Sequence, residues 1–121
     1  MIIGKAKDCL YAVNGKLLQG SETVIFRGVS INSRTIKEGE LFVCIKGENF
    51  DGHDFFGDAF RKGAAGIILS DTKNLSTGML GKGESPFVIQ SENTLRALQA
   101  LASYQRSLFP FRVIAVTGTN G

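Results

Sequence analysis

Long apolar runs are missing from this chain. No stretch of its 121 residues approaches the ~18 to 20 consecutive apolar residues of a membrane-spanning helix, so no membrane partner is expected. Met1-Ile2-Ile3-Gly4-Lys5 has neither the charged nor the apolar region of a secretory signal, and a cytoplasmic protein is expected. Thiols and imidazoles are scarce as well. Cys9, Cys44 and His53 are the whole complement, and none stands at metal-ligand spacing from another, which argues against a metal site. The two cysteines read as small, reduced, apolar residues. A strong charge of either sign is also lacking, since the net charge is +3. Residues 1 to 47 hold seven Lys/Arg against four Asp/Glu, whereas residues 48 to 121 hold seven of each. That asymmetry suits a small anionic ligand near the first half and is too slight for a nucleic-acid surface.

What is present is an ordinary domain composition, 43% hydrophobic and 21% charged, in a chain long enough to bury one core. Lys5 to Val13 carries Ala6, Cys9, Leu10 and Val13 at helical spacing, with Asn14-Gly15 as a stop. Thr23 to Ile31 is β-branched and aromatic, one strand or a bent pair, with Gly28 as a bulge or close-approach point. Leu41 to Ile45 and Ala64 to Leu69 are short apolar runs of the buried-strand type. Between them a helix is expected from near His53 to Gly63, burying Phe55, Phe56, Ala59 and Phe60. Strand, loop, helix and strand over residues 41 to 69 make a unit whose two strands should be parallel.

Residues 70 to 86 read as an exposed connection with no assigned chemistry. Phe87 to Gln90 is a further strand, and Ser91 or Asn93 should cap a helix running to about Leu108. Its inner face is expected to carry Leu95, Leu98, Leu101, Ala102 and Leu108, with Arg96 and Arg106 outside. Phe109-Pro110 ends that helix, and Arg112 to Val116 is a strand leading into Thr117-Gly118-Thr119-Asn120-Gly121. A glycine-rich turn directly after a buried strand is how phosphate-cradling loops are built.

Two polar segments stand out against this frame. Asn32-Ser33-Arg34 follows a strand, where a hydroxyl at the surface and a planar guanidinium can meet a phosphate or carboxylate, or simply form a polar turn. Lys46 to His53 has Gly47 and Gly52 at its ends, allowing close backbone approach. Within it Asp51 reads as the cap of the following helix and His53 as an exposed first-turn residue. Phe50, in polar company, can stack on a flat base or plug the loop onto the core.

Together with Gly39-Glu40-Leu41-Phe42-Val43 and Gly63-Ala64-Ala65, these segments closely resemble the N-terminal domain of the bacterial Mur ligases. There a pattern of the type Asp-Ser-Arg, Gly-Asp-Leu-Phe-Val, Lys-Gly-x-x-x-Asp-Gly-His-x-Phe and Gly-Ala forms the pocket for a uridine nucleotide. Asn32 stands where that family more often has Asp, which keeps an acceptor oxygen and removes the charge. The resemblance runs along essentially the whole chain. It implies an α/β domain over residues 1 to 109, a small mixed sheet with flanking helices, that holds the UDP end of a UDP-N-acetylmuramoyl-peptide. The implied contacts are Ser33, Arg34, Lys46, Gly47, Glu48, Asn49, Phe50, Asp51 and His53.

The family's ATP loop looks like Thr-Gly-Thr-Asn-Gly-Lys-Thr, whose first five residues match Thr117, Gly118, Thr119, Asn120 and Gly121. Residues 110 to 121 are therefore expected to open an ATP-binding unit. Its phosphate-neutralising Lys and Mg²⁺-holding Thr are absent from these 121 residues. The whole enzyme would use ATP and Mg²⁺ to activate a carboxylate that an amine then attacks, while the chain alone is expected to be catalytically silent. The wording of Lys46 to Phe55 is most like the family members that attach D-alanyl-D-alanine to the tripeptide precursor. The preceding ligase of the series, which adds the third residue, shares its skeleton. A stand-alone nucleotide-sugar-binding module is a further alternative, and a small P-loop ATPase is disfavoured by the missing lysine.

Overall fold

In the computed structural model, residues 3–47, 51–72, 86–108 and 116–117 are described. The elements are β1 (Ile3–Lys5), α1 (Ala6–Val13), β2 (Lys16–Gln19), β3 (Ile25–Arg27), β4 (Val29–Ser30), β5 (Leu41–Val43), a 3-10 turn (Gly52–Asp54), α2 (Phe56–Arg61), β6 (Gly66–Leu69), β7 (Phe87–Gln90), α3 (Thr94–Leu108) and β8 (Val116–Thr117). One six-stranded sheet has the order β2-β7-β6-β5-β4-β8. Strands β4 to β8 in it run parallel, and β2 lies antiparallel on β7 at one edge. A separate antiparallel ribbon joins β1 to β3. This is the small mixed sheet with flanking helices expected from the sequence.

The continuous apolar runs are strands covered on both faces, as parallel sheets require. Successive side chains alternate between faces. Leu41, Val43, Ile68, Phe87 and Ile89 join Ala6, Cys9, Ala97 and Leu101 of α1 and α3 in one cluster, while Phe42, Cys44, Ile67, Leu69 and Val88 meet Phe56 and Ala59 of α2 in the other. Both cysteines are free and buried. Burial in apolar surroundings pushes both thiols well above the ordinary range, so they stay protonated and inert.

Gly28 divides the Thr23 to Ile31 run. Its φ of 95° turns the chain from the β1-β3 ribbon into the main sheet, which resolves the expected bent pair into two strands of different sheets. Asn14, at φ 52°, closes α1 in the left-handed conformation. One expectation changes. Leu95 is 52% exposed, and the inner face of α3 is built instead on Thr94, Ala97 and Leu101, with Leu98 packed beside them. Val116 and Thr117, beyond the expected boundary near residues 109 and 110, pair with Val29 and Ser30. Phe109, Pro110 and residues 111–115 lie outside the described residues, as does most of the 70 to 86 connection.

Candidate functional site

Because β4, β5, β6 and β7 are parallel and adjacent, their C-terminal ends open on one edge of the sheet. Ligands of open α/β sheets bind in crevices outside such ends. Asn32 to Arg34 follow β4, Cys44 to Gly47 follow β5, Ser70 and Asp71 follow β6, and Ser91 follows β7. The two polar segments singled out in the sequence are thus neighbours through β4-β5 pairing.

The turn after β4 is tied down by its own side chains. Ser30 Oγ donates to the Asn32 carbonyl and accepts from the Asn32 amide, both at 3.1 Å. Asn32 Oδ1 accepts from the Arg34 amide at 2.8 Å, an Asx turn that needs an acceptor oxygen and not a carboxylate. From the end of α2, Lys62 Nζ donates to the carbonyls of Ser33 at 2.7 Å and Arg34 at 3.1 Å. Ser33 is 4% exposed and belongs to a packed turn. Arg34 is exposed.

The segment after β5 folds back on itself. Lys46 and Asp51 form an isolated antiparallel bridge, and the Gly52 amide donates to the Ile45 carbonyl at 2.8 Å. Gly52 is required by close approach, since a Cβ there would lie 2.8 Å from the Ile45 nitrogen and 2.9 Å from the Cys44 Cα. Glu48, Asn49 and Phe50 lie outside the described residues. Asp51 caps the 3-10 turn as expected, accepting from the His53 amide at 3.0 Å. That bond, with lesser help from the His53 side chain and Lys46, outweighs partial burial and holds the Asp51 carboxyl below the usual carboxylate range.

His53 departs from its expected exposure. It is 5% exposed, with Nδ1 at 2.7 Å from Asp51 Oδ1. Its Nε2 accepts from the backbone amides of Ser70 at 3.0 Å and Asp71 at 3.1 Å. The physical reason is remote in sequence: the end of β6, 17 residues away, supplies the donors that cover the ring. Ser70 and Asp71 were not singled out by sequence reasoning, and their contribution is made by backbone N–H groups that carry no residue-type signal.

Further along the same edge lies a cavity of about 480 Å³ lined by Asn14, Gly15, Lys16, Ser70, Gln90, Ser91 and Glu92. Neither it nor an adjoining cavity of about 310 Å³ at the start of α3 includes Ser33, Arg34 or Lys46. Of the glycine-rich terminal segment, Thr117 ends β8 opposite Ser30, and Gly118, Thr119, Asn120 and Gly121 lie outside the described residues. Among the described residues no cluster of three or more His, Cys, Asp or Glu side chains is placed to hold a metal ion, and no helix is long and apolar enough to cross a membrane.

Residues 25–106 match the family model for the Mur ligase family, catalytic domain. The chain is 33% identical over 119 residues to UDP-N-acetylmuramoyl-L-alanyl-D-glutamate--2,6-diaminopimelate ligase 2 of Clostridium acetobutylicum, covering 97% of this chain and 23% of that protein. It is 34% identical over 122 residues to UDP-N-acetylmuramoyl-tripeptide--D-alanyl-D-alanine ligase of Bacillus subtilis, covering 100% of this chain and 25% of that protein. Among solved structures, MurF from Acinetobacter baumannii superposes with a TM-score of 0.70 at 22% identity, over 88% of this chain and 22% of that one. MurF from Thermotoga maritima in complex with ADP superposes with a TM-score of 0.55 at 32% identity, over 69% of this chain and 17% of that one. The chain therefore spans at most a quarter of the length of these curated relatives, 23% and 25%.

Proposed function

The chain belongs to the Mur ligase family, and from that premise we propose that it is the UDP-substrate-binding part of an ATP-dependent amide ligase of peptidoglycan-precursor synthesis, acting in the cytoplasm. Residues 1 to 109 form the binding domain, and residues 110 to 121 open the ATP-binding unit. The observation that carries the reading is the meeting of two family-like segments, Asn32 to Arg34 and Lys46 to His53, at the ends of paired strands β4 and β5.

Within that site the described residues divide by what they can do. Arg34 and Lys46 offer mobile cations to the diphosphate. Ser33, in its packed turn, offers a donor to the uridine part. Gly47 lets the backbone approach closely, and Glu48, Asn49 and Phe50, outside the described residues, are added as contacts on the family likeness alone. Asp51 and His53 hold that loop in shape. ATP with Mg²⁺ supplies the activation of the substrate carboxylate in the whole enzyme. Thr117, Gly118, Thr119, Asn120 and Gly121 would form one side of its phosphate cradle. The residues present do not complete that site, since the family's lysine and threonine are not among them.

We infer further that the amine partner is D-alanyl-D-alanine, on the wording of Lys46 to Phe55 and the relative in Bacillus subtilis. A relative that adds 2,6-diaminopimelate is equally similar, so the third-residue-adding ligase is the second reading. The test uses the chain continued through its ATP-binding parts. ATP-dependent joining of D-alanyl-D-alanine to the UDP-tripeptide is expected, and joining of a diamino acid to the UDP-dipeptide instead would select the second reading. Activity with neither would refute the ligase assignment.

A further inference from the structure

His53 is anchored at the strand ends by its neighbour Asp51 and by the remote end of β6. Two backbone amides, Ser70 N and Asp71 N, converge on its Nε2 at 3.0 and 3.1 Å, with Ser70 Oγ at 3.3 Å. A backbone N–H can only donate, so Nε2 must carry a lone pair. A neutral imidazole has one donor and one acceptor nitrogen. The proton therefore sits on Nδ1 and is donated to Asp51 Oδ1 at 2.7 Å, the same oxygen that caps the turn through the His53 amide. The ring thus spans from Asp51 to the end of β6, two segments that the backbone bonds between β5 and β6 do not connect beyond Cys44 and Ile68.

We propose that His53 is a positioning residue, not a ligand contact: its Nδ1-H tautomer, braced between Asp51 and the Ser70–Asp71 amides, fixes Asp51, and through the Lys46–Asp51 bridge the backbone after β5, against the end of β6 where the nucleotide would bind. This rests on the UDP-site reading above. Binding sites lose affinity when a supporting shell leaves the contacting groups mobile, because the ligand must then order them. The acceptor at Nε2 is the essential feature, since without it the amides at the end of β6 lose the group that ties them to the loop.

The conservative variants separate the two nitrogens. In His53→Gln the side-chain oxygen reaches the Nε2 position and can accept from Ser70 and Asp71. In His53→Asn a polar atom reaches only the Nδ1 position. Long-range nitrogen NMR of the 121-residue chain should show the Nδ1-H tautomer for wild type. Titration with UDP should find His53→Gln within about threefold of wild type and His53→Asn weaker by about tenfold or more. The amides of Gly52, Ser70 and Asp71 should lose hydrogen-exchange protection only in the Asn variant, with both variants folded by their melting transitions. An Nε2-H tautomer, or equal UDP affinity in folded Gln and Asn variants, would overturn the proposal. If wild type itself ignores UDP at millimolar concentration, the nucleotide reading fails, and the tautomer and the protection of those amides alone decide whether the brace exists. If the Asn variant does not fold, the wild-type tautomer and the Gln variant decide it.

Discussion

Gly52→Ala is the sharpest test of how the loop is closed. The added Cβ would meet main-chain atoms only, the Ile45 nitrogen at 2.8 Å and the Cys44 Cα and carbonyl carbon at 2.9 and 3.1 Å. A flexible side chain could swing away, but here either β5's continuation or the 3-10 turn must move. Forced shifts of this kind cost about 1 to 3 kcal/mol. Displacing the Gly52 amide from the Ile45 carbonyl adds about 1 kcal/mol. Reduced freedom of the unfolded chain returns about 0.4 to 1 kcal/mol. The net expectation is roughly 1 to 3.6 kcal/mol, centred near 2.3, which at about 4 °C per kcal/mol lowers the melting temperature by roughly 4 to 14 °C.

Gly39→Ala is the matched control. Its φ is 88° but nothing lies within 4 Å of the added Cβ, so only the conformational cost of about 1 kcal/mol applies. Thermal and urea unfolding followed by circular dichroism measure both. Gly52→Ala no more destabilised than Gly39→Ala would refute the claim that backbone contact at Cys44 and Ile45 shapes the loop.

Two other predictions concern caps. Asp51→Ala should cost about 0.5 to 2 kcal/mol at neutral pH. Because the folded Asp51 carboxyl lies below its ordinary value, its contribution is fully present above the unfolded value of about 3.9 and is lost as pH falls through the lower folded value. The stability gap between wild type and Asp51→Ala, followed by urea unfolding from pH 7 downwards, should therefore close only below about pH 4, and a gap that closes on raising the pH would contradict the assignment. Asn93 Oδ1 accepts from the Arg96 amide at 3.0 Å, so Asn93→Ala should cost about 0.5 to 2 kcal/mol while Asn93→Asp retains stability. Equal loss in both variants would remove Asn93 as the cap of α3.

The elements that were legible are those whose burial both faces share. Leu41 to Val43, Gly66 to Leu69 and Phe87 to Gln90 are unbroken apolar runs, and only a strand between two layers needs such a run. β1 and β2 were not legible because three or four residues with partly exposed side chains carry no period to detect. Gly28 was recognised as a break, but its role in sending β3 and β4 to different sheets depends on β1 arriving from the other end of the domain. On α3 two overlapping stripes satisfy helical spacing. The choice of Ala97 and Leu101 over Leu95 is made by the packing of α1 and the sheet, not by hydrophobicity.

The candidate site was legible as motif and less so as geometry. Asp51 followed from capping chemistry, which is local and spans two residues. His53 looked exposed because the amides that bury it come from the far side of α2. Lys62 gave no signal, since a lysine at a helix end is normally solvated, yet it holds the Ser33 and Arg34 carbonyls across 29 and 28 residues.

The measurement that bears most directly on the central claim is a UDP titration of the chain followed by amide NMR. A dissociation constant between micromolar and millimolar, about −8 to −4 kcal/mol, is predicted, with shifts concentrated at Ser33, Arg34 and residues 46 to 53. Ser33→Ala should weaken that binding by about 0.5 to 1.5 kcal/mol. No perturbation of these residues at millimolar UDP, or shifts confined to the cavity around Lys16 and Ser91, would contradict the account.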